Sequence, residues 1–583
     1  MKEMNTRISA ILAVILAATL SFTGCIKETY PMGSTQREDQ VTGSELALSG
    51  MVNGIPAAMM RANTSGYYST YGTQIDFGMP AIHIALDCML EDLALVGNFN
   101  AFQFYFYAYN IGQGDDEWPV AYFWDSYYMW VKLCNDVIRT IDPETATDEM
   151  LGYLGQAYAY RAMCYLDLAR LHEPKVVTGV PNYEVPESIL GLTVPIVREN
   201  TTEKEAMNNP RATREALYAF IFEDLSKAEE YLAGHEYDFS KPTLGAVYGL
   251  YARAWLEMGY WTANNGTAAA DETGDADAFR NAAQYARKAI TESGKTPLTK
   301  EQWTDPSNGF NSGSSNNSWI WGLRVASEQI NNLVQFSAHM STEALWGYGP
   351  MSQPAVNKRL FDQIPDSDFR KLTWLDPQWK EFGTGSKEID YSFAGSESDH
   401  QLFLAGDINE GGNVYPAAPY ESLKFRPVMG EMTDYVTGGP ADHPLMRVEE
   451  MYFIEMEATA HYDLNGAVNL LNTFMDYRIT DGSYDCAEDV NGQLRGFINE
   501  MMLQKRIEFW GEGLLIYDYK RLDRGITRYY DGSNHPSIWQ FNTPGRSPQW
   551  NLTISTVGEM QSNIGINQSV NNPDPSGTLV VPE

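Results

Sequence analysis

Apolar residues recur at steps of three and four along much of the chain. The clearest run is Leu154 to Pro174, LGQAYAYRAMCYLDLARLHEP. Leu154, Tyr158, Arg161, Tyr165, Leu168 and His172 fall on one face of a single amphipathic helix. Pro174 ends it, because proline lacks an N–H donor and restrains the residue before it. Arg161 is the odd member of the stripe. A buried guanidinium must be paired and hydrogen-bonded. The spacing therefore predicts a carboxylate or carbonyl from a distant segment beside Arg161; the alternative is a side chain that snorkels to water.

The same period predicts helices over Ser44 to Arg61, Met79 to Leu95, Pro119 to Ile141, Thr213 to Leu232 and Ile498 to Trp510. In the third, Trp124, Tyr128, Val131, Asn135 and Ile138 share a face. Two helical hairpins are expected, Thr243 to Gly259 with Ala278 to Ser293, and Arg447 to Tyr462 with Asn465 to Ile479. Gly249, Ala252, Ala282 and Ala289 would let helices approach closely, and Gly259 is a C-cap candidate. This pattern is similar to tetratricopeptide repeats, whose helix pairs stack. Residues 295–440 change character, being rich in Gly, Ser, Asn, Pro and Trp, and read as irregular loops with short strands. Trp319 and Trp321 alternate there as in a half-buried strand, with one of the two in the core. GLTVPIVREN (191–200) reads as an extended linker, and 526–583 as mostly irregular. The fold class is mainly α: tetratricopeptide-like helix pairs form a curved scaffold, with a loop-rich ligand-binding face and short β segments. Loops held on a rigid scaffold are where binding residues concentrate.

The N-terminus has the pattern of a processing signal. Lys2 and Arg7 precede an apolar run from Ile8 to Leu20 that is too short to span a bilayer, which takes about twenty residues. Phe22-Thr23-Gly24-Cys25 resembles the bacterial lipoprotein cleavage box. The resemblance implies cleavage before Cys25 and lipidation of Cys25, which anchors a protein without a transmembrane helix. The expected organisation is a signal peptide over 1–24, a lipidated tether over 25–42 and a single domain over 43–583, with its loop-rich insert at about 295–440.

The 583 residues are 44% hydrophobic and 13% aromatic, a globular composition, and carry a formal charge of −35. That acidity argues against nucleic acid or an anionic lipid surface as partner. The supply of 35 Tyr and 14 Trp is large; most must be core, but flat aromatic faces are also what a sugar-binding surface uses. Cys88, Cys134, Cys164 and Cys486 form no Cys-x-x-Cys and read as buried free thiols, with a disulfide formed after export as the alternative. The eight His show no ligand spacing, and no metal or cofactor site is expected. Asp271 to Asp277 lacks a calcium-loop register and reads as a solvated acidic loop. No nucleophile motif or phosphate loop is present. Among 76 acidic residues some carboxylate pair always exists, so paired acids carry little weight for glycoside hydrolysis. Rings at helical spacing, Trp124, Tyr128, Tyr158 and Trp255, read as core. Rings in Gly, Asn and Ser surroundings are the ligand candidates: Tyr67, Tyr68 and Tyr71; Phe99 beside Asn98; and Trp346 and Tyr348 in ALWGYGP. There a ring can stack on a sugar while amides bond its hydroxyls.

Several blocks together resemble the SusD/RagB family of Bacteroidetes outer-membrane lipoproteins. They are GQAYAYRAMCYLDLARLHEP (155–174), NNPRATREALYAFIFEDLSKAEEYL (208–232), RVEEMYFIEMEATAHYDLNGAVNLLNTFMDYRI (447–479) and INEMMLQKRIEFWGEGLLIYDYKRL (498–522), with an Asn/Pro-rich tail from Asn567 to Pro573. The resemblance implies a non-enzymatic lipoprotein at the cell surface, anchored in the outer membrane through its lipid. It implies that the protein captures oligosaccharide or polysaccharide and delivers it to a TonB-dependent, SusC-like transporter. A peptide-binding RagB-like receptor is the alternative ligand class, and a lipidated glycoside hydrolase a further one.

Overall fold

The computed structural model describes residues 44–60, 76–97, 114, 118–261, 274–305, 309–329, 333–377, 415–555 and 571–578. In chain order the main elements are α1 (Glu45–Met59), α2 (Met79–Cys88), β1 (Leu93–Leu95), α3 (Trp118–Thr140), α4 (Asp148–His172), α5 (Arg214–Leu232), α6 (Leu244–Gly259), α7 (Ala276–Ser293), β2 (Trp319–Leu323), α8 (Phe336–Met340), β3 (Pro354–Val356), β4 (His443–Arg447), α9 (Val448–Ala460), α10 (Leu464–Met475), α11 (Leu494–Glu508) and α12 (Leu515–Arg521). Short 3-10 turns lie between them. The fold is mainly helical. From Leu48 onward the chain forms one compact unit; of the unit before it, Met1–Ala47, only the first residues of α1 are described.

The long helices pack as neighbours in sequence: α3 on α4, α4 on α5, α5 on α6, α6 on α7, α7 on α9, α9 on α10 and α10 on α11. This is the stacking that helix-pair repeats use to bury their apolar faces. Gly249 of α6 packs against strand β4, where a Cβ would collide with the Met446 side chain. The hairpin helices are also stopped chemically. Asp275 caps α7, accepting from the Asp277 and Ala278 N–H groups at 2.9 and 3.2 Å, and Gly294 follows in the left-handed region at φ 60°.

Helix α4 is almost wholly buried. Thr147 caps its start, accepting from Met150 N–H, and its last carbonyls are taken by distant cations and amides. Lys520 donates to the Arg170 and Leu171 oxygens at 2.8 Å each. Arg211 and Asn572 donate to the His172 oxygen at 3.0 and 2.8 Å. Positive charge at a helix C-terminus is favourable as well as satisfying orphan acceptors. Arg161 is 2% exposed and paired, as its place in the stripe predicts. Its guanidinium grips Asp224 of α5 in a two-pronged bond at 2.8 and 2.7 Å, and one Nη donates to Glu199 and Asn135 as well.

Three local expectations are corrected. The second helix stops at Cys88 instead of Leu95, and 93–95 is strand β1, paired antiparallel with β3. The freed backbone oxygens at this break are claimed from far along the chain: Arg528 donates to Cys88 and Leu90, Asn357 to Glu91 and Trp510 to Asp92. Gly259 is the last helical residue, and Tyr260 provides the cap in ordinary right-handed geometry. Trp319 and Trp321 are both fully buried. Phe239 packs edge-on against Trp319 and Tyr160 covers Trp321, and every residue of β2 is buried. Its partner β4 lies just ahead of α9 and is buried throughout. Cys88, Cys134, Cys164 and Cys486 are buried free thiols.

A buried ion cluster joins the insert to the last helices. Glu508 accepts from Arg370 at 3.2 Å, from Arg447 at 3.2 Å and from Arg478 at 2.8 Å. Glu512 accepts from Arg447 at 2.8 Å and from Lys424 at 2.6 Å. Glu449 pairs with Arg447 and Arg478, and Asp368 with Arg370. Four cations thus meet four carboxylates, all with side chains at most 2% exposed. Burial alone would raise Glu508, but Arg478, Arg447 and Arg370 hold it far below the usual carboxylate range. Removing one partner from such a cluster strands buried charge. Glu508→Gln is expected to lower unfolding free energy by about 3–5 kcal/mol, read as a shift of the urea midpoint at constant slope. A change below about 1 kcal/mol, within the range of an exposed pair, contradicts a structural role for the cluster.

Candidate functional site

The ion cluster fixes the base of a loop-built face. Lys424 is buried with its ammonium on Glu512 and on the Glu508 and Trp510 backbone oxygens, 2.9 Å from each oxygen. Two residues on, Arg426 forks onto the buried carboxylate of Glu343 at 2.6 and 2.8 Å. Glu343 opens the segment that carries Trp346 and Tyr348. Thr342 donates to the Ser422 oxygen at 2.8 Å, and Leu345 N–H to the Met432 oxygen at 3.0 Å. Two buried charges held by bidentate bonds therefore set where Trp346 stands.

Trp346 and Tyr348 are half-buried and lie on one segment. The outer ring edge of Trp346 lies over Gly438, where a Cβ would come within 2.6 Å of it. Tyr348 N–H donates to the Ala338 oxygen, tying the segment to α8. The rings continue inward: Tyr348 sits 5.2 Å from His339, and His339 stacks on Phe77 at 5.0 Å. Beside them runs a narrow, largely buried apolar groove lined by Met60, Phe77, Val325, Val334, Phe336 and Ala441, too small to admit a sugar ring. Gln335 and Gly439 also line it, and the Ser337 hydroxyl of α8 donates to the Gly439 oxygen at 3.2 Å. The half-exposed rings themselves, on a braced segment, suit stacking against a ligand with apolar faces.

Of the residues singled out in sequence, Trp346 and Tyr348 are brought together here. Tyr67, Tyr68, Tyr71, Asn98, Phe99 and Cys25 lie outside the described residues. Met60 and Phe77, on either side of the tyrosine stretch, both line the groove. Gly97, just before Asn98, donates to the Ser352 oxygen at 3.2 Å, four residues past Tyr348. Sequence reasoning missed Phe77, His339 and Phe336. Phe77 carried a weak signal, lying at the end of the Tyr/Gly stretch; the other two had none, because their place depends on contacts across the chain.

Behind the groove lies a buried histidine pair. His83 Nδ1 and His443 Nε2 share a hydrogen bond at 2.7 Å, and Phe336 packs edge-on against His443 at 4.9 Å. Burial, opposed in part by Asp167, lowers the His83 imidazole to about 4. Burial and the neighbouring His83 hold His443 well below the ordinary histidine range. At the foot of the face, burial pushes the Glu421 carboxyl up to about 8, so it is protonated at neutral pH while accepting from Ala418 N–H at 2.6 Å.

The comparisons with known proteins converge on one fold. Residues 80–256 match a SusD-like family model described as "Starch-binding associating with outer membrane". A SusD-like carbohydrate binding protein from Bacteroides vulgatus superposes with a TM-score of 0.64 at 20% identity, covering 90% of this chain and 97% of that one. A putative sugar binding protein from the same species gives 0.61 at 20% identity, covering 91% and 98%. A SusD superfamily protein from Bacteroides thetaiotaomicron gives 0.61 at 18% identity, covering 92% and 100%. No curated protein matches the chain by sequence. The fold is SusD-like over about nine-tenths of the chain's length.

The histidine pair makes the region behind the groove acid-sensitive. In the unfolded chain each imidazole titrates near 6.5, whereas in the fold both stay neutral to lower pH. The unfolded state therefore binds more protons as pH falls below about 6.5, and stability is lost until His83 itself titrates near 4. Wild type is expected to lose up to about 3 kcal/mol relative to His83→Gln between pH 7 and 4, measured by urea unfolding at each pH. A constant difference across that window contradicts a buried neutral pair.

Proposed function

We propose that the protein is a lipid-anchored receptor of the outer cell surface that binds a glycan without cleaving it and passes it to a TonB-dependent, SusC-like transporter. The observation that carries the binding reading is the Trp346–Tyr348 segment, held half-exposed by the buried Arg426–Glu343 pair. Its context agrees with the family description, which names starch binding and outer-membrane association, and with the carbohydrate- and sugar-binding proteins that share the fold. The lipidation signal at Cys25 supports the anchor.

The acids nearest the segment are engaged in holding its loops: Glu343 with Arg426, Glu421 with the Ala418 N–H, and Glu431 and Asp434 with N–H groups of their own turn. Glycoside hydrolysis needs a pair of carboxyl groups that flank a scissile bond. The half-exposed rings supply instead what sugar capture requires, flat apolar surface and a rigid backbone beneath it. Delivery to a transporter rests on the family resemblance, since the blocks that carry it run from the Leu154 helix to the Asn/Pro tail.

Calorimetric titration of the purified protein with neutral α-glucan, β-glucan, xylan, mannan and galactan oligosaccharides tests the reading, with reducing ends assayed in parallel. At least one glycan is expected to bind and be recovered intact. Trp346→Ala is expected to weaken that binding by about tenfold, roughly 1.4 kcal/mol, with an unchanged melting temperature. Unchanged affinity would remove the segment from the site. Release of new reducing ends would replace the receptor reading with a hydrolase.

A further inference from the structure

Six non-glycine residues among the described residues have positive φ. Asn182, Asn491 and Asp523 are of types whose short polar side chains make the left-handed region tolerable. Gln353 at φ 49°, Tyr420 at φ 71° and Met429 at φ 55° are not. All three lie on the segments that frame Trp346. Strained backbone of this kind gathers at ligand-binding sites, where the surrounding structure over-determines it.

Two of the three have an internal reason. Gln353 donates its side-chain amide to the Pro416 oxygen at 2.7 Å, and its own carbonyl accepts from Val96 N–H. Tyr420 donates its N–H to Leu375 at 2.8 Å, accepts from Val356 N–H at 3.0 Å and sets its ring edge-on against Phe361. Met429 differs, because its side chain is 70% exposed. The segment around it is fastened on both sides. Asn311 donates to the Arg426 and Pro427 oxygens. Glu431 accepts from the Thr433 and Asp434 N–H groups, and Asp434 from Val436 N–H. Val436, on the same loop, is 51% exposed, and Gly438 underlies the Trp346 ring edge. A rigid loop thus holds an apolar side chain out into water in a conformation that glycine would adopt at no steric cost.

We propose that Met429 is a ligand-contacting residue that, with Val436 of the adjoining turn, forms an apolar ledge for the C–H face of a saccharide ring. The inference rests on the glycan reading above and extends the site to a second loop. The flexible, polarisable thioether suits a surface that must follow the contour of a sugar ring. A glycine at 429 would relax the backbone and abolish the ledge, and that separates a binding role from a structural one: the two readouts move in opposite directions.

The experiment uses the full lipid-free chain, the same oligosaccharide panel, calorimetric titration and thermal melting. Met429→Gly is expected to keep or raise the melting temperature while weakening the best-bound oligosaccharide by about tenfold. Met429→Ala should lose a similar factor, and Met429→Leu should stay within about threefold of wild type. If wild type binds a glycan, Trp346→Ala weakens it and both small variants at 429 bind as wild type does, the ledge is overturned and the glycan reading stands. If wild type binds no member of the panel, the glycan reading and the ledge fall together.

Discussion

Glu508 lies under three guanidiniums, and the carboxylate of Glu512 beside it holds a fully buried lysine. Charge buried this deeply has only one low-energy arrangement, because each donor and acceptor must be matched. The cluster gathers the Phe369–Thr373 turn, the Lys424 loop, the end of β4, the start of α9, the chain after α10 and the end of α11. Trp303 stacks over it, within 5.5 Å of the Lys424 ammonium and 5.4 Å of the Arg478 guanidinium. An apolar core of the same volume need be no less stable. What the ions add is registry: loops from the insert cannot slide on the helical stack without stranding a charge.

That registry reaches the candidate loop face in two steps. Lys424 is tied to Glu512, and Arg426, two residues on, is tied to Glu343. From there one segment of the chain runs to Trp346 and the other to the loop that carries Met429. The helices supply bulk and a fixed frame, while the face itself is built from segments with little regular structure. Such segments hold their shape through side-chain caps, as at Glu431 and Asp434, and through buried hydrogen bonds, as at Thr342. Rigid loops bind with less entropy lost on association than mobile ones. The histidine pair behind Phe336 belongs to the same frame and gives it a sensitivity to acid.

The scaffold was legible in sequence because its signals are local. Period 3.6 marked α3 through α7 and α9 through α11, and Arg161 in an aromatic stripe announced its own buried partner. The motif blocks then placed these helices in a known order. The break after Cys88 was not legible, since the residues that capture its carbonyls, Asn357, Trp510 and Arg528, lie hundreds of positions away. Nor was the double burial of Trp319 and Trp321, which depends on rings brought over them by Phe239 and Tyr160 from other segments. At the candidate site, Trp346 and Tyr348 stood out because rings among glycines are poor core. Met429 could not, because its significance is a backbone angle and an exposure that only the folded loop defines.

In the function proposed above the ions position a loop face, and this face, not the helical stack, takes the ligand. A crystal structure of the protein soaked with the oligosaccharide it binds best tests this. Sugar density is expected against Trp346 and Tyr348, reaching the Met429 loop, with the Glu508 cluster unchanged. Density confined to the outer surfaces of α5 through α7, with the Trp346 face empty, would contradict it.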